Sequence, residues 1–355
     1  MRALITGGAG FIGSHLAERL LAQGHHVAIV DDLSTGSIEN IVHLLGHERF
    51  SCTIDSVTND AAMSRAIGSA DVVFHLAAAV GVRLVCDRPV HTIETNVHGT
   101  ETVLRHASRQ RKLVLVASTS EVYGKGTALP FREDADLVLG PPSKTRWGYA
   151  TSKLLDEFLA LGYWKERQSP VIVVRFFNTV GPRQSSRYGM VLPSFVKKAL
   201  EGAPITVHGD GTQTRSFTWV GDVVSAMLKL INEPKAIGEV FNIGNGAEIS
   251  IRDLACKVKA LTDSSSPIAF VPYSAVFDDS FEDMARRVPD ISKIRRVVGY
   301  SPTVHLDEII EKVVAYWQAE RAAQAAAPPR HASPAVRSVG NSAKLIPHTP
   351  ALSLP

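Results

Sequence analysis

The chain has 355 residues, 45% of them hydrophobic and 21% charged, which suits one large α/β unit or two modest domains with a well-buried core. A net charge of +3, spread over scattered basic residues, argues against a nucleic-acid surface, and no apolar run approaches a membrane span. Cys52, Cys86 and Cys256 have neither metal-ligand nor redox spacing, so no metal is expected and a reducing cytoplasm suits the chain.

Read in order, short β-branched runs alternate with helical patterns through the first 180 residues, the pattern of a parallel sheet wound on both faces. Strands are predicted at Arg2–Thr6, 26–30, 72–76, 113–118 and Val171–Phe176, with a shorter one near Phe50–Ile54. The first begins at residue 2, which leaves no room for a signal peptide. A crossover helix is expected over 92–109, with apolar positions at Ile93, Val97, Val103, Leu104 and Ala107. After Asn178 the texture changes. Strands at Ile205–His208, 215–219 and Val240–Ile243 mix with helices at 192–201, 222–231 and Ile251–Leu261. The expectation is a Rossmann-type doubly wound sheet over 1–180, followed by a smaller α/β lobe over 181–325 that closes on a substrate, with the chain free to cross between them. A final helix runs over 306–327, Pro328-Pro329 ends it, and 326–355 reads as a disordered tail rich in Pro, Ser and Ala.

Thr6-Gly7-Gly8-Ala9-Gly10-Phe11-Ile12-Gly13 leaves a strand and opens a helix, the setting that turns a glycine pattern into a dinucleotide site. Gly7 permits the tight turn and Gly10 a close approach of backbone to pyrophosphate. Gly13 permits close helix–strand packing, and Phe11 and Ile12 start the helix whose amino end faces the phosphates. The next strand ends at Asp31, about 20 residues on, where a carboxylate grips a ribose diol and repels a 2′-phosphate. No arginine follows in Leu33-Ser34-Thr35-Gly36, so NAD is favoured over NADP.

The run Leu113-Val114-Leu115-Val116-Ala117 delivers Ser118, Thr119, Ser120 and Glu121 to the carboxyl end of a strand, where open α/β sheets place ligands. Tyr149 and Lys153 follow on a helix predicted over 149–167, four residues apart and on one face. A fixed ammonium favours the phenolate, so Tyr149 is expected to have a lowered pKa and to act as a general base for a sugar hydroxyl.

These motifs resemble the extended short-chain dehydrogenase family of nucleotide-sugar epimerases and dehydratases, over roughly residues 1–317. Further markers are His75-Leu76-Ala77-Ala78, Thr95-Asn96-Val97-His98-Gly99-Thr100, Phe177-Asn178-Thr179-Val180-Gly181-Pro182-Arg183, Gly209-Asp210-Gly211-Thr212-Gln213-Thr214-Arg215 and Arg287-Val288-Pro289-Asp290. The resemblance implies a bound NAD, reduced and reoxidised within one turnover, and a nucleoside diphosphate sugar as substrate, a UDP-sugar being favoured. It places Ala77 and Ala78 beside the nicotinamide ribose, makes Asn96 and Ser118 further cofactor contacts, and makes Tyr149 and Lys153 the catalytic pair with Thr119. Asn178, Arg215 and Arg287 would bind the sugar diphosphate. Asp290 either accepts from a ribose hydroxyl or caps the next helix. Asp55-Ser56-Val57 departs from the usual adenine clamp. Relatives pair through two helices matching 92–109 and 149–167, which implies a homodimer.

Three reactions share the opening step to a 4-keto sugar. Thr119-Ser120-Glu121 resembles the run in glucuronate decarboxylases and 4,6-dehydratases, where Glu takes the carbon 5 proton in the latter. Gly140-Pro141-Pro142-Ser143-Lys144-Thr145-Arg146-Trp147-Gly148-Tyr149 and Phe281-Glu282-Asp283-Met284-Ala285-Arg286-Arg287 tilt the reading toward bacterial UDP-glucuronate decarboxylases. The loop Ala79-Val80-Gly81-Val82-Arg83 and Ala-Thr-Ser after Tyr149 lean toward 4-epimerases. Decarboxylation stands first, 4-epimerisation second and 4,6-dehydration third. An NAD-sensing binding protein is disfavoured, because such proteins lose the Tyr/Lys pair.

Overall fold

The computed structural model describes residues 1–186, 190–276 and 282–326. Six strands, β1 (Arg2–Thr6), β2 (His26–Asp31), β3 (Phe50–Ile54), β4 (Val72–His75), β5 (Leu113–Thr119) and β6 (Val171–Phe176), join a seventh, Val240–Ile243, in one sheet. Every pairing in it is parallel, and the order is Val240–Ile243, β6, β5, β4, β1, β2, β3. The chain winds outward from β1 through β2 to β3, then restarts on the other side of β1 with β4. Between β1 and β4 the connections leave in opposite directions, and a crevice opens at the strands' carboxyl ends.

Strands covered on both faces are apolar throughout, which is why β4 and β5 read as continuous hydrophobic runs. One face packs Ile5, Ile29, Phe74 and Leu115 against helices Phe11–Ala22 and Val220–Ile231. The other packs Leu4, Val73, Val114 and Val116 against helices Asp60–Gly68, Pro89–Arg109 and Arg146–Arg167. A separate cluster joins helices Val191–Glu201, Ile251–Leu261 and Leu306–Ala326 around Leu192, Val207, Leu254 and Ile310.

The structure departs from the sequence reading in a few places. Val240–Ile243, expected in the smaller lobe, lies beside β6 in the main sheet. The strand expected over 215–219 is two short pieces: Thr214–Ser216 pairs antiparallel with Glu248–Ser250, and Thr218–Trp219 pairs parallel with Thr179–Val180. Phe217, buried between them, marks the break. The helix expected from 92 starts at Pro89, whose fixed φ and missing N–H suit a first turn. The tail from 327 and Phe281 of the segment before Arg287 lie outside the described residues.

A row of side chains crosses three neighbouring strands at their carboxyl ends, because Ser118, Arg175 and Asn242 are in register. Arg175 forks onto Glu157 of helix Arg146–Arg167, with Nη2 2.7 Å from Oε2 and Nε 3.0 Å from Oε1. Ser118 donates to Glu157 Oε1 at 2.5 Å. Arg175 also donates to the Tyr123 hydroxyl at 2.9 Å, and Tyr123 donates to Asn242 Oδ1 at 2.7 Å. Behind this row Tyr123 stacks on Phe131, with ring centroids 4.5 Å apart. The network fixes the end of β5 to the helix that carries Tyr149 and Lys153.

Candidate active site

A cavity of about 1150 Å³ runs along the carboxyl ends of the strands, from the glycine loop to Arg215 and Arg287. Single small-ligand pockets measure roughly 300–1,000 Å³, so this space suits two ligands end to end. At one end, helix Phe11–Ala22 begins at Gly10 with no side chain capping it, so its first amides face the cavity. Gly7 has φ +71°, and a β-carbon there would stand 2.8 Å from the Ala77 amide nitrogen. One on Gly13 would stand 2.2 Å from the Gly7 carbonyl oxygen. Only glycine leaves that cradle open. Asp31 ends β2 on the cavity wall, accepting from the amides of Ala9 at 2.9 Å and Leu33 at 2.8 Å. Burial pushes its carboxyl above the ordinary value, a cost that a ribose diol donating to it would reduce. Phe11, Ile12, Ala77 and Ala78 also line this stretch. An amide cradle for an anion followed by a carboxylate for a diol fits a dinucleotide with a free 2′-hydroxyl.

Asn96 does not line the cavity. Its amide is spent on Ala79 N, which it accepts at 2.8 Å, and on Ser152 Oγ, to which it donates at 3.0 Å. It therefore ties the loop after β4 to the catalytic helix, and the direct contact expected of it is corrected to a supporting one. Ser118 borders the cavity, but its hydroxyl is turned to Glu157. Val57, not Asp55, faces the cavity near the expected adenine end, because Asp55 is turned onto Ser56 N and the Asn59 amide.

Thr119 closes β5 and caps the 3₁₀ turn Ser120–Tyr123, its hydroxyl accepting from Glu121 N at 3.2 Å. Thr119, Ser120, Glu121, Tyr149 and Lys153 share one stretch of cavity wall. Tyr149 is hydrogen-bonded to Thr119. The expected lowering of its pKa is not found in the protein alone. Burial, then the negative charge of Glu121, push the phenol above its ordinary value. Lys153 is drawn aside, its ammonium 2.7 Å from Asp156 Oδ2.

Beyond Glu121 lies a knot of buried charge. Glu121 Oε1 accepts from Arg287 at 2.9 Å and from Arg146 at 3.3 Å. Asp283 Oδ1 accepts from Arg146 at 2.9 Å and Arg215 at 2.8 Å, and its Oδ2 accepts from the Tyr273 hydroxyl at 2.9 Å. Burial opposes the charge on Glu121, but Arg146 and Arg287 outweigh it and hold the carboxyl below its ordinary range. Burial likewise opposes Asp283, and Arg215, Arg146 and Arg287 bring it down to about 2. Burial and the neighbouring Arg287 lower Arg215 to about 10. Among the described residues, three guanidinium groups here face two carboxylates, and Arg287 Nε is buried with no hydrogen-bond partner. Such a wall favours an anion. Asn178 lines the same space and donates from its side chain to Ser216 O at 2.8 Å. The sequence reading assigned no role to Arg146, Asp283 or Tyr273. Only the Lys-x-Arg-Trp approach to Tyr149 pointed at Arg146.

A Rossmann-type sheet, a glycine cradle and a Tyr/Lys pair facing an anion-binding wall define a dinucleotide-dependent enzyme of alcohol and ketone chemistry. The chain belongs to the NAD dependent epimerase/dehydratase family, which it matches over residues 3–244. It is 42% identical over 318 residues to the UDP-N-acetyl-alpha-D-glucosaminuronate decarboxylase of Bacillus cytotoxicus, covering 89% of this chain and 98% of that one. It is 37% identical to UDP-glucuronic acid decarboxylase 1 of Danio rerio, covering 91% of this chain and 74% of the relative. Its fold is similar to that of the UDP-glucuronic acid 4-epimerase from Bacillus cereus, solved with UDP-glucuronic acid and NAD. The TM-score is 0.81 and the identity 31%, covering 90% of this chain and all of that one (100%).

The charge knot makes stability depend on acid. Asp283 has a lower pKa folded than its ordinary 3.8, so the stability it contributes is complete above about pH 4 and is withdrawn as pH falls toward 2. A shift to about 2 corresponds to roughly 2 kcal/mol. Asp283→Asn is expected to be less stable at pH 6 and to lose less than the parent between pH 4 and 2, as read from denaturant midpoints across that range.

Proposed function

We propose that the protein is an NAD-dependent nucleotide-sugar enzyme working through a 4-keto sugar, and that it decarboxylates a UDP-hexuronate. The observation that carries the reading is the turn Ser120–Tyr123 beside Tyr149, with Arg287 paired to Glu121 and its guanidinium on the cavity wall, where an anion can meet it. A hexuronate brings such an anion at carbon 6. NAD, when bound in the glycine cradle with Asp31 on its ribose, supplies hydride acceptance and return at the sugar's carbon 4.

Tyr149 takes the proton of the carbon 4 hydroxyl, and Thr119 holds the same oxygen. The phenol is kept protonated by burial and by Glu121, so the incoming sugar and the Lys153 ammonium must favour its ionised form. With carbon 4 a ketone, a carbon 6 carboxylate is that of a β-keto acid. The carbon 5–carbon 6 bond breaks with loss of carbon dioxide, and its electron pair passes into the enolate at carbon 4. Carbon 5 takes a proton from water, which restores the carbon 4 ketone, and when that ketone is reduced back Tyr149 returns its proton to the oxygen. Arg287 and Ser120 orient the carboxylate, and Arg215 and Asn178 hold the diphosphate. Glu121, bound by two arginines and held ionised, is a weak base, which argues against the carbon 5 deprotonation a 4,6-dehydratase requires. Both decarboxylase relatives, named for UDP-glucuronic acid and for its N-acetylamino counterpart, favour the same reading. The second reading, 4-epimerisation, draws on the Bacillus cereus neighbour with its UDP-glucuronic acid. It would use the same wall to retain the carboxylate.

Incubation with UDP-glucuronate and with UDP-N-acetylglucosaminuronate, read by product mass, tests the proposal. Loss of carbon dioxide from either supports it. An unchanged mass with inverted carbon 4 establishes the epimerase instead. Tyr149→Phe is expected to lower turnover by about two to four decades with substrate binding little changed, and an active variant would defeat the assignment of Tyr149.

We further read residues 181–325, apart from the strand Val240–Ile243, as the part that grips the nucleotide sugar, and we expect a homodimer. Val90 and Ile93 on helix Pro89–Arg109, and Leu155 and Phe158 on helix Arg146–Arg167, are exposed apolar residues on two helices packed side by side. Phe158 is 68% exposed, unusual for a phenylalanine unless a partner covers it. Phe158→Asp is expected to convert a dimer to a monomer by light scattering at micromolar concentration. No disulfide joins Cys52, Cys86 or Cys256, and no described helix is long and apolar enough to cross a membrane. Thiols outside disulfides persist in a reducing compartment, and we read the cytoplasm from them.

A further inference from the structure

Lys153 reaches the cavity wall, yet its ammonium is bound from behind. Asp156, one turn along the same helix, holds Nζ at 2.7 Å, and the two side chains are 3% and 0% exposed. Burying both charges costs several kcal/mol per ion, so such a pair is weak evidence of a stability role by itself. Asp156 Oδ1 moreover has no hydrogen-bond partner among the described residues. The position of this carboxylate relative to the active site is therefore the point of interest.

Its surroundings are polar and reach back to the glycine loop. The Ala77 amide donates to Thr6 Oγ1 at 3.3 Å, and Thr6 Oγ1 lies 2.8 Å from His75 Nδ1. His75 Nε2 lies 3.0 Å from Thr100 Oγ1. Burial, reinforced by the Lys153 charge, lowers His75 to about 3, so the ring is neutral. With Thr6 accepting from Ala77 and donating to Nδ1, the ring carries its hydrogen on Nε2 and donates to Thr100. The Thr100 hydroxyl hydrogen is then left for Asp156, whose negative charge Thr100 helps to stabilise. The donors run in one direction toward Asp156, linking β1, β4 and helix Pro89–Arg109.

We propose that Asp156 is a positioning residue that sets where the Lys153 ammonium rests and thereby the pH at which Tyr149 exchanges its proton, an inference that rests on Tyr149 as the proton acceptor. Two effects act in the same direction. Asp156 holds back the cation that would favour the phenolate, and its own negative charge disfavours a second one on Tyr149. The other groups facing the phenol are Glu121, which raises its pKa, and Arg287 and Thr119, which lower it. Around Asp156 stand Lys153 and Glu157 of its own helix, with His75 and Thr100 opposite. Glu157 is occupied by Arg175 and Ser118, which leaves Asp156 as the carboxylate bound to Lys153.

Asp156→Asn keeps the shape and removes the charge. The phenol is read directly by ultraviolet titration of the protein without added nucleotide sugar, with Tyr149→Phe and the Tyr149→Phe/Asp156→Asn double variant as blanks. The midpoint is expected to move about one to two pH units toward acid in Asp156→Asn. The pH profile of kcat should move the same way. An unchanged midpoint in a folded variant, with only a lower Tm, would overturn the proposal and make the pair structural. Should the amide variant not fold, Asp156→Ala, whose smaller side chain admits a water, answers the same question. If Tyr149→Phe proves active, the catalytic reading fails, while the titration still decides whether Asp156 governs the phenol.

Discussion

The bidentate pair between Arg175 and Glu157 is the constraint on which the site's geometry rests. Both side chains are almost fully buried, at 5% and 4% exposed. Neither charge tolerates that position alone: removing one partner of such a pair costs about 3–5 kcal/mol. The planar fork requires β6 and helix Arg146–Arg167 to meet at one spacing and one angle. Because Ser118 and Asn242 share its row, the same pair fixes the end of β5 and the seventh strand. Tyr149 and Lys153 lie eight and four residues before Glu157 on the same helix, so they inherit its position relative to Thr119 and Ser120. The tyrosine and the threonine that we propose hold one sugar oxygen are thereby placed by a contact that neither of them makes.

The same logic continues outward. Glu121 and Asp283 would be untenable in a closed cavity without cations, and the cations come from separate parts of the chain: Arg146 at a helix start, Arg215 on a short strand, Arg287 on a loop. Each ion pair therefore also closes a long loop of sequence. Folding the substrate end of the cavity and building its electrostatic character are one event. The excess of arginine gives that end a net positive character.

The glycine cradle, Asp31, the strand-end hydroxyls and the Tyr/Lys pair were legible in the sequence because each is a local pattern with a local physical reason. What escaped was set by contacts between distant segments. Val240–Ile243 is an apolar run like any other, and nothing within it says that Asn242 will stand beside Arg175. Asn96 was assigned to the cofactor from its motif, but the amide beside it in space is Ala79, seventeen residues away. The spacing of Tyr149 and Lys153 predicted a shared helix face and a lowered phenol pKa. Burial reverses the second expectation, reinforced by Glu121 from another element and by Asp156, three residues beyond Lys153. Helix periodicity reports which residues share a face, and says little about which charge lies opposite.

The late arrival of the seventh strand also bears on how the protein is made. A nascent chain completes β6, with its Val171-Ile172-Val173-Val174 run, long before Val240–Ile243 leaves the ribosome. At roughly 5–20 residues per second the edge of β6 stays unpaired for several seconds, as an apolar template open to other chains. Arg175 is the charged residue of that strand, and its partner Glu157 precedes it in the chain, so the fork can form before the seventh strand exists. The ion pair that locks the finished sheet to its helix is thus available while the outer edge of β6 still waits for its neighbour.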